Sequence, residues 1–259
     1  MAGLSMVAKG VSFMGAGRGI NFPVTDGLLG VYMGGAGFLR NVVYQGVNSE
    51  AIGSPTVINN FTTRLDKDNY IDTKILPGTV ESTLFVVTRR FRGAAYSEPF
   101  GCWTNSITDG SAILGRGLLL TPNGGLQGIL NTYSASANNT VNAQVGISAD
   151  AAIPNPSAGP DSGVWRAVAQ RVSTTMNKVQ DLTAGLVATN AFTGDYKPDT
   201  RGVESYKIGR PKTSSLDGTG KSDVMLAVLF NRAITDEEMT AVYAYAQKFA
   251  AKSTRGITI

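Results

Sequence analysis

Two stretches of this sequence set an aromatic ring beside amides or carboxylates in loop-like surroundings: Trp103 with Asn105 and Asp109, and Tyr133 with Asn138 and Asn139. That combination suits a pyranose, whose apolar ring face stacks on an aromatic while its hydroxyls exchange hydrogen bonds with amides and carboxylates. These six residues form the candidate glycan-binding set, with core packing as the competing account of Trp103. A third constellation, Asp66-x-Asp68-Asn69, offers hard oxygen donors of the kind that hold Ca2+. It lacks the Gly and the distal Glu of an EF-hand loop, and a turn ahead of a strand starting at Tyr70 accounts for the same residues. If calcium binds, Asp66 and Asp68 are its ligands; no other cofactor is implied.

The chemistry the chain cannot perform is equally informative. There is no histidine, which excludes a Ser-His-Asp triad, a Cys-His pair, imidazole acid–base catalysis and His-liganded zinc. The single cysteine, Cys102, leaves no intrachain disulfide and reads as a small buried apolar residue. Glycan hydrolysis by paired carboxyl groups needs two of them across the scissile bond, and no alternating E-x-D-x-E pattern is found. Asp236, Glu237 and Glu238 are consecutive and belong to a helix start. The glycine runs Gly15-Ala16-Gly17-Arg18-Gly19 and Gly34-Gly35-Ala36-Gly37 complete neither a dinucleotide nor a P-loop fingerprint, and read as loops or close backbone approaches.

The elements that must position these groups are mostly strands. Charged residues make up 16% of the chain and 31 of the 259 residues are glycine, which argues for frequent turns and against a helical bundle. Leu84–Phe91 is β-branched and aromatic and follows the turn-like Pro77-Gly78. Tyr70–Ile75 alternates, with Ile71, Thr73 and Ile75 on one side. Pro122-Asn123-Gly124-Gly125 between leucine-rich runs predicts a hairpin. Val141–Ile147 and Trp165–Val172 are further strands, separated by a proline-containing surface loop over Ala151–Gly163; Trp165 is assigned to the core. Arg89, Arg90 and Arg92 are read as a solvated strand face. Val224–Phe230 is apolar at both parities, as a strand covered on both faces should be. Thr235-x-x-Glu238 is a capping box, and Met239, Val242, Tyr243, Ala246 and Phe249 follow at helical spacing.

The expected fold is all-β: an antiparallel β-sandwich, or jelly roll, with one short C-terminal amphipathic helix and a Gly-rich N-terminal arm. Residues 1–27 form the arm, too apolar for a disordered tail, and residues 28–259 the sandwich domain. The net charge of +4 is no nucleic-acid signature. No segment reaches the ~18–20 apolar residues of a membrane span, and the start lacks the basic region and apolar run of a signal peptide.

In order, Gly27–Tyr32, Arg40-Asn41 to Gly53-Ser54-Pro55, Tyr70–Thr73, Glu81–Arg90, the W-x-x-V strand at Trp165–Val168 and the x-I-G strand at Lys207–Gly209 resemble the concanavalin A-like lectin/glucanase family. The form they resemble is the laminin G-like jelly roll found in bacteriophage virion proteins. The most specific stretch is DVMLAVLFNRAITDEEMTAVY, Asp223–Tyr243, which resembles that family's closing strand, N-R-A-L-(S/T)-D-E-E and helix unit. The resemblance implies a non-enzymatic virion structural protein of tail, fibre or decoration type whose jelly roll binds a surface glycan or a neighbouring virion protein. It further implies contacts with other virion proteins through residues 1–27, homo-oligomerisation and a calcium ion in some members, and the lack of a signal-peptide pattern adds synthesis in the host cytoplasm. Two alternatives stand beside it: a polysaccharide depolymerase, and a decoration or assembly protein that binds no sugar.

Overall fold

The computed structural model describes residues 21–38, 40–43, 48–90, 95–102, 104–106, 112–148, 153, 163–210, 220–253 and 257–259. Over these residues the chain is an antiparallel β-sandwich. One sheet has eight strands, running in order Leu186–Ala191, Met176–Asp181, Val164–Val172, Ser82–Arg90, Ser222–Phe230, Thr62–Leu65 and Thr56–Asn59, with Leu28–Met33 also paired to Ser222–Phe230. The second has seven: Val145–Ile147, Leu126–Ile129, Gly117–Leu120, Ser97–Gly101, Lys207–Ile208, Tyr70–Asp72 and Glu50–Ile52. A three-stranded sheet of Asn139–Asn142, Asn131–Ser134 and Lys197–Pro198 stands apart from both.

The eight-stranded sheet is the middle layer, and its sequence shows why. On Ser222–Phe230, Val224, Ala227 and Leu229 enter the core between the sheets with Leu84, Val86, Phe100 and Leu118. Leu226, Val228 and Phe230 point the other way, onto Met239, Val242, Ala246 and Ala250 of the helix Asp236–Ser253. A register shift between Val224 and Leu226 carries the strand across the change. The helix starts as its capping box requires: Thr235 Oγ1 accepts the Glu238 N–H at 3.2 Å and Glu238 accepts the Thr235 N–H at 2.8 Å. Arg232 then clamps the same carboxylate through Nη1 at 2.8 Å and Nη2 at 2.6 Å.

The predicted hairpin at Pro122–Gly125 forms, with Leu120 opposite Leu126 and Gly124 at φ +85°. Gly34 and Gly35 lie where a Cβ would meet the backbone of Phe61 and Asn60, the close approach that calls for glycine. Cys102 is buried, and burial pushes its thiol up to about 11. Trp165 is half-buried against the helix-side core, with the Arg89 guanidinium 5.3 Å from its ring centre.

Several expectations change. Tyr70–Ile75 keeps its alternation, but the strand ends at Asp72 because Lys74 takes φ +60° while its N–H bonds to Asp72. Val141–Ile147 divides into two strands that belong to different sheets. Residues 1–20 lie outside the described residues, whereas Phe22 and Val24, in the remainder of the stretch assigned to the arm, are buried on the sandwich itself. Phe22 packs edge-on against Tyr245 at 4.9 Å and near Phe230 at 6.4 Å. Most of the loop at Ala151–Gly163, and Arg92, also lie outside the described residues.

The larger correction concerns Arg89 and Arg90, which are 9% and 1% exposed and so form no solvated face. Arg89 Nη2 lies 2.9 Å from Asp223 Oδ2, and the same carboxylate takes Arg64 Nε at 2.7 Å. Arg90 Nη1 reaches Asp181 Oδ2 at 2.5 Å, and its Nη2 donates to the Gly124 carbonyl in the opposite sheet's hairpin. Local periodicity shows which side of a strand a residue takes, but the acidic partners lie 91 and 134 positions away (Arg90 to Asp181, Arg89 to Asp223) and are supplied only by the fold. Breaking a buried pair strands an uncompensated charge, so Arg90→Met is expected to cost about 3–5 kcal/mol in urea unfolding. The double variant Arg90→Met/Asp181→Leu, which removes both charges, should recover most of that loss.

Candidate functional site

The site grows from the small sheet. Asn131–Ser134 pairs with Asn139–Asn142, setting Thr132 opposite Val141, Tyr133 opposite Thr140 and Ser134 opposite Asn139. The turn between them closes on Asn138, whose φ of +49° is one that asparagine tolerates. Because neighbouring residues on a strand point to opposite faces, the hairpin has two sides with different chemistry.

On the first side, Tyr133 donates its hydroxyl proton to Asn138 Oδ1 at 2.9 Å. The Arg201 guanidinium lies over its ring, 3.8 Å from the centre, and Arg201 Nη2 donates to Thr140 Oγ1 at 3.0 Å. Asp199, itself 8% exposed, holds Arg201 through Nε at 3.0 Å and Nη2 at 2.7 Å. One face of the predicted sugar platform at Tyr133 is therefore already taken by a cation.

On the second side, Thr132, Val141, Asn142, Asn190, Phe192 and Tyr196 line a groove of about 410 Å3, a volume within the ordinary range of small-ligand sites. Phe192 leans on Leu130, Ala143 and Val172, so one side of its ring is fixed by the core. Tyr196 donates its hydroxyl proton to Asn139 Oδ1 at 2.7 Å, which holds its ring upright at the rim. Asn142 Oδ1 accepts the Gln144 N–H at 2.8 Å, and Asn190 Nδ2 donates to the Gln144 carbonyl at 3.3 Å. Between the lining residues Thr193 and Tyr196, Asp195 ties the groove's two walls together. Its Oδ1 accepts Ser134 Oγ at 2.8 Å, and its Oδ2 accepts Ser136 Oγ at 2.6 Å and the Ser136 N–H at 3.4 Å.

Two buried amides support the floor. Asn177 Nδ2 donates to the Gly128 carbonyl at 2.9 Å and the Ala143 carbonyl at 3.0 Å, and Gln170 Nε2 donates to the Ile129 carbonyl at 2.8 Å. The groove is thus built on the locked junction of the two large sheets, with fixed rings and oriented amides.

The structure treats the sequence candidates unequally. Asn138 and Asn139 are adjacent but serve different tyrosines, Tyr133 and Tyr196. Trp103 and Asp109 lie outside the described residues, and Asn105 is placed by its backbone in the strand Thr104–Ser106, opposite Ile113. Asp66 Oδ1 accepts the N–H groups of Asp68 and Asn69, each at 3.0 Å, and Asn69 Nδ2 at 2.8 Å, the turn expected ahead of Tyr70. Asp68 is largely exposed, 3.7 Å from Lys67. Among the described residues no group of three or more Asp, Glu or Cys side chains is gathered as a metal would need.

Phe192 and Tyr196 are the residues sequence reading missed. Their signal was present as A-F-T-G-D-Y at 191–196, an aromatic–polar–Gly–Asp–aromatic loop meeting the same criterion that singled out Tyr133.

Fold and site together define an antiparallel β-sandwich carrying a preformed groove with aromatic and amide walls. No protein-family model and no curated protein matches the sequence. Among solved structures, a Trypanosoma rangeli sialidase in complex with sialic acid is similar with a TM-score of 0.60 at 14% identity, over 92% of this chain and 36% of the sialidase. The botulinum neurotoxin serotype D binding domain is similar with a TM-score of 0.51 at 10% identity, over 85% of this chain and 51% of that one. A structure described as the receptor binding domain of botulinum neurotoxin D gives 0.50 at 11% identity, over 85% and 53%. The chain thus spans about a third to a half of the length of these proteins, and at such identities the likeness is one of fold.

Hydrogen bonds from the Ser136 and Ser134 hydroxyls hold the Asp195 carboxyl below the usual aspartate range. A group lowered in this way adds stability that is present above the ordinary value of about 3.9 and is lost as pH falls through the lowered folded value. NMR titration should therefore place the Asp195 midpoint below that of a free aspartate, and Ser134→Ala/Ser136→Ala should bring it back up.

Proposed function

We propose that this chain is a non-enzymatic binding module whose groove, walled by Tyr196, Phe192 and the Asn131–Asn142 hairpin, takes a surface glycan. The observation that carries the reading is the pairing of two anchored aromatic rings with the Asn190 amide around one groove. Stacking rings combined with fixed hydrogen-bonding groups is what a sugar's two chemistries ask for. The neighbours lend support at the level of fold, since one is described in complex with sialic acid and another as a receptor binding domain. Among the described lining residues there is no Asp or Glu, and Asp195 beside them is bonded to serines rather than to a second carboxyl group, which favours binding over hydrolysis by paired carboxyl groups.

The place of action is read from the sequence resemblance to phage laminin G-like domains. On that reading the chain is made in a host cytoplasm and sits in a virion, and it meets neighbouring virion proteins through the part of residues 1–27 that precedes Phe22. Binding to a glycan array should be lost or fall at least about tenfold on Tyr196→Ala, the size of effect expected for one anchored aromatic in a small site. Release of reducing ends or unsaturated sugars from bound polysaccharide would show the depolymerase alternative instead. Intact incorporation into particles by a Tyr196→Ala variant that binds no glycan, with host attachment unchanged, would favour the pure decoration role.

Homo-oligomerisation has its own support. Leu186–Ala191 is an edge strand with no charged residue and no proline, and its Leu186 and Val187 are 40% and 56% exposed. Natural edges are usually guarded by charge, proline or a bulge, because unpaired backbone groups recruit further strands. Sedimentation should show an oligomer of the purified chain, and Val187→Lys should shift it toward monomer.

A further inference from the structure

We infer that the groove selects uncharged pyranose residues over sialic or uronic acids, and that Asp195 is the specificity-determining residue that enforces the choice. The inference rests on the glycan-binding reading above and adds the ligand's charge class. Recognition of a sugar carboxylate calls for a cation, arginine above all, placed to give paired charge-assisted hydrogen bonds. The described walls carry amides, hydroxyls, a valine and two aromatic rings, but no lysine or arginine.

Among the described residues, the cations of the neighbouring strands are directed elsewhere. Lys197 stands in register with Tyr133, so it leaves the sheet on the Tyr133 side, and Arg201 is held on that side by Asp199 and the Tyr133 ring. Arg171 and Lys178 are engaged by Asp236 at the helix start, Lys178 Nζ at 3.2 Å. Between the lining residues Thr193 and Tyr196, Asp195 carries a carboxylate held by the serine donors described above.

An ionised carboxylate has four acceptor positions. At Asp195 two serine hydroxyls, the Ser136 N–H and the residue's own backbone N–H take these up. A sugar carboxylate brought beside it meets like-charge repulsion, with no cation among the described lining residues to offset it. The described walls are thus neutral, and the carboxylate beside them is negative.

The test uses pairs of probes that differ in charge alone. Calorimetry on the full chain would compare oligogalacturonide with its methyl ester, and sialyllactose with its methyl ester, with array hits included as matched neutral and acidic forms. The neutral member of each bound pair is expected to bind at least about tenfold more tightly, with little dependence on salt. Asp195→Asn, which keeps an acceptor for the serines but removes the charge, should narrow that ratio; Ser136→Ala, which leaves the charge in place, should preserve it. Equal or tighter binding of the acidic members, still lost on Tyr196→Ala, would overturn the charge inference and leave the groove as a glycan site. Failure of every neutral and acidic glycan to bind would overturn both.

Discussion

The groove exists because the two large sheets are locked at one offset by polar side chains buried between them. Gln170 and Asn177 are both fully buried on strands of the eight-stranded sheet, and their amides bond to backbone carbonyls at Gly128, Ile129 and Ala143 on and beside the other sheet. They also bond to each other, Gln170 Nε2 to Asn177 Oδ1 at 3.0 Å. An amide removed from water is costly unless it finds partners, so sliding one sheet over the other would orphan several such groups together. Apolar contacts alone tolerate small slips; this network does not. Gly128 is part of the same constraint, since a Cβ there would crowd Gln170 Nε2 at 3.2 Å and Asn177 Oδ1 at 3.3 Å.

Arg90 adds a second lock of the same kind, joining Asp181 on its own sheet to the Gly124 carbonyl at the tip of a hairpin of the other. Buried ion pairs contribute little net stability against a well-packed apolar replacement, but they penalise misregistration heavily. The middle sheet can hold such groups because it is covered on both sides. The helix Asp236–Ser253 and the stretch around Phe22 and Val24 seal its outer face, while the seven-stranded sheet seals its inner one.

The small sheet borrows rigidity from these locks and uses it to separate charge from apolar surface. Strand alternation sends Tyr133 to one side of the hairpin, where Arg201 and Asp199 neutralise each other over its ring. The opposite side is left to Thr132, Val141 and the rings of Phe192 and Tyr196. Asp195, Ser134 and Ser136 then staple the turn of the hairpin to the loop that carries Tyr196. Rings and amides are thereby set before any ligand arrives, which lowers the entropic cost of binding.

Much of the fold was legible because it is written in local rules. The two-parity apolar run at Val224–Phe230, the Asn-Gly hairpin and the Thr235–Glu238 capping box each depend on residues a few positions apart, and each forms as read. The aromatic–amide criterion picked out the hairpin that forms one wall of the groove, through Tyr133, Asn138 and Asn139. Which side of that hairpin is open was not legible, because it depends on Arg201 covering one tyrosine and on Asn190, Phe192 and Tyr196 arriving from some fifty to sixty positions away. The burial of Arg89 and Arg90 was hidden for the same reason: periodicity assigns a residue to a face, but only long-range pairing decides whether water or Asp181 and Asp223 lies beyond it. The sequence by itself determined the elements, their caps and turns, since these are near-neighbour physics. The tertiary structure alone decided the groove and its charge, since both are set by which distant side chains the locked sheets bring together.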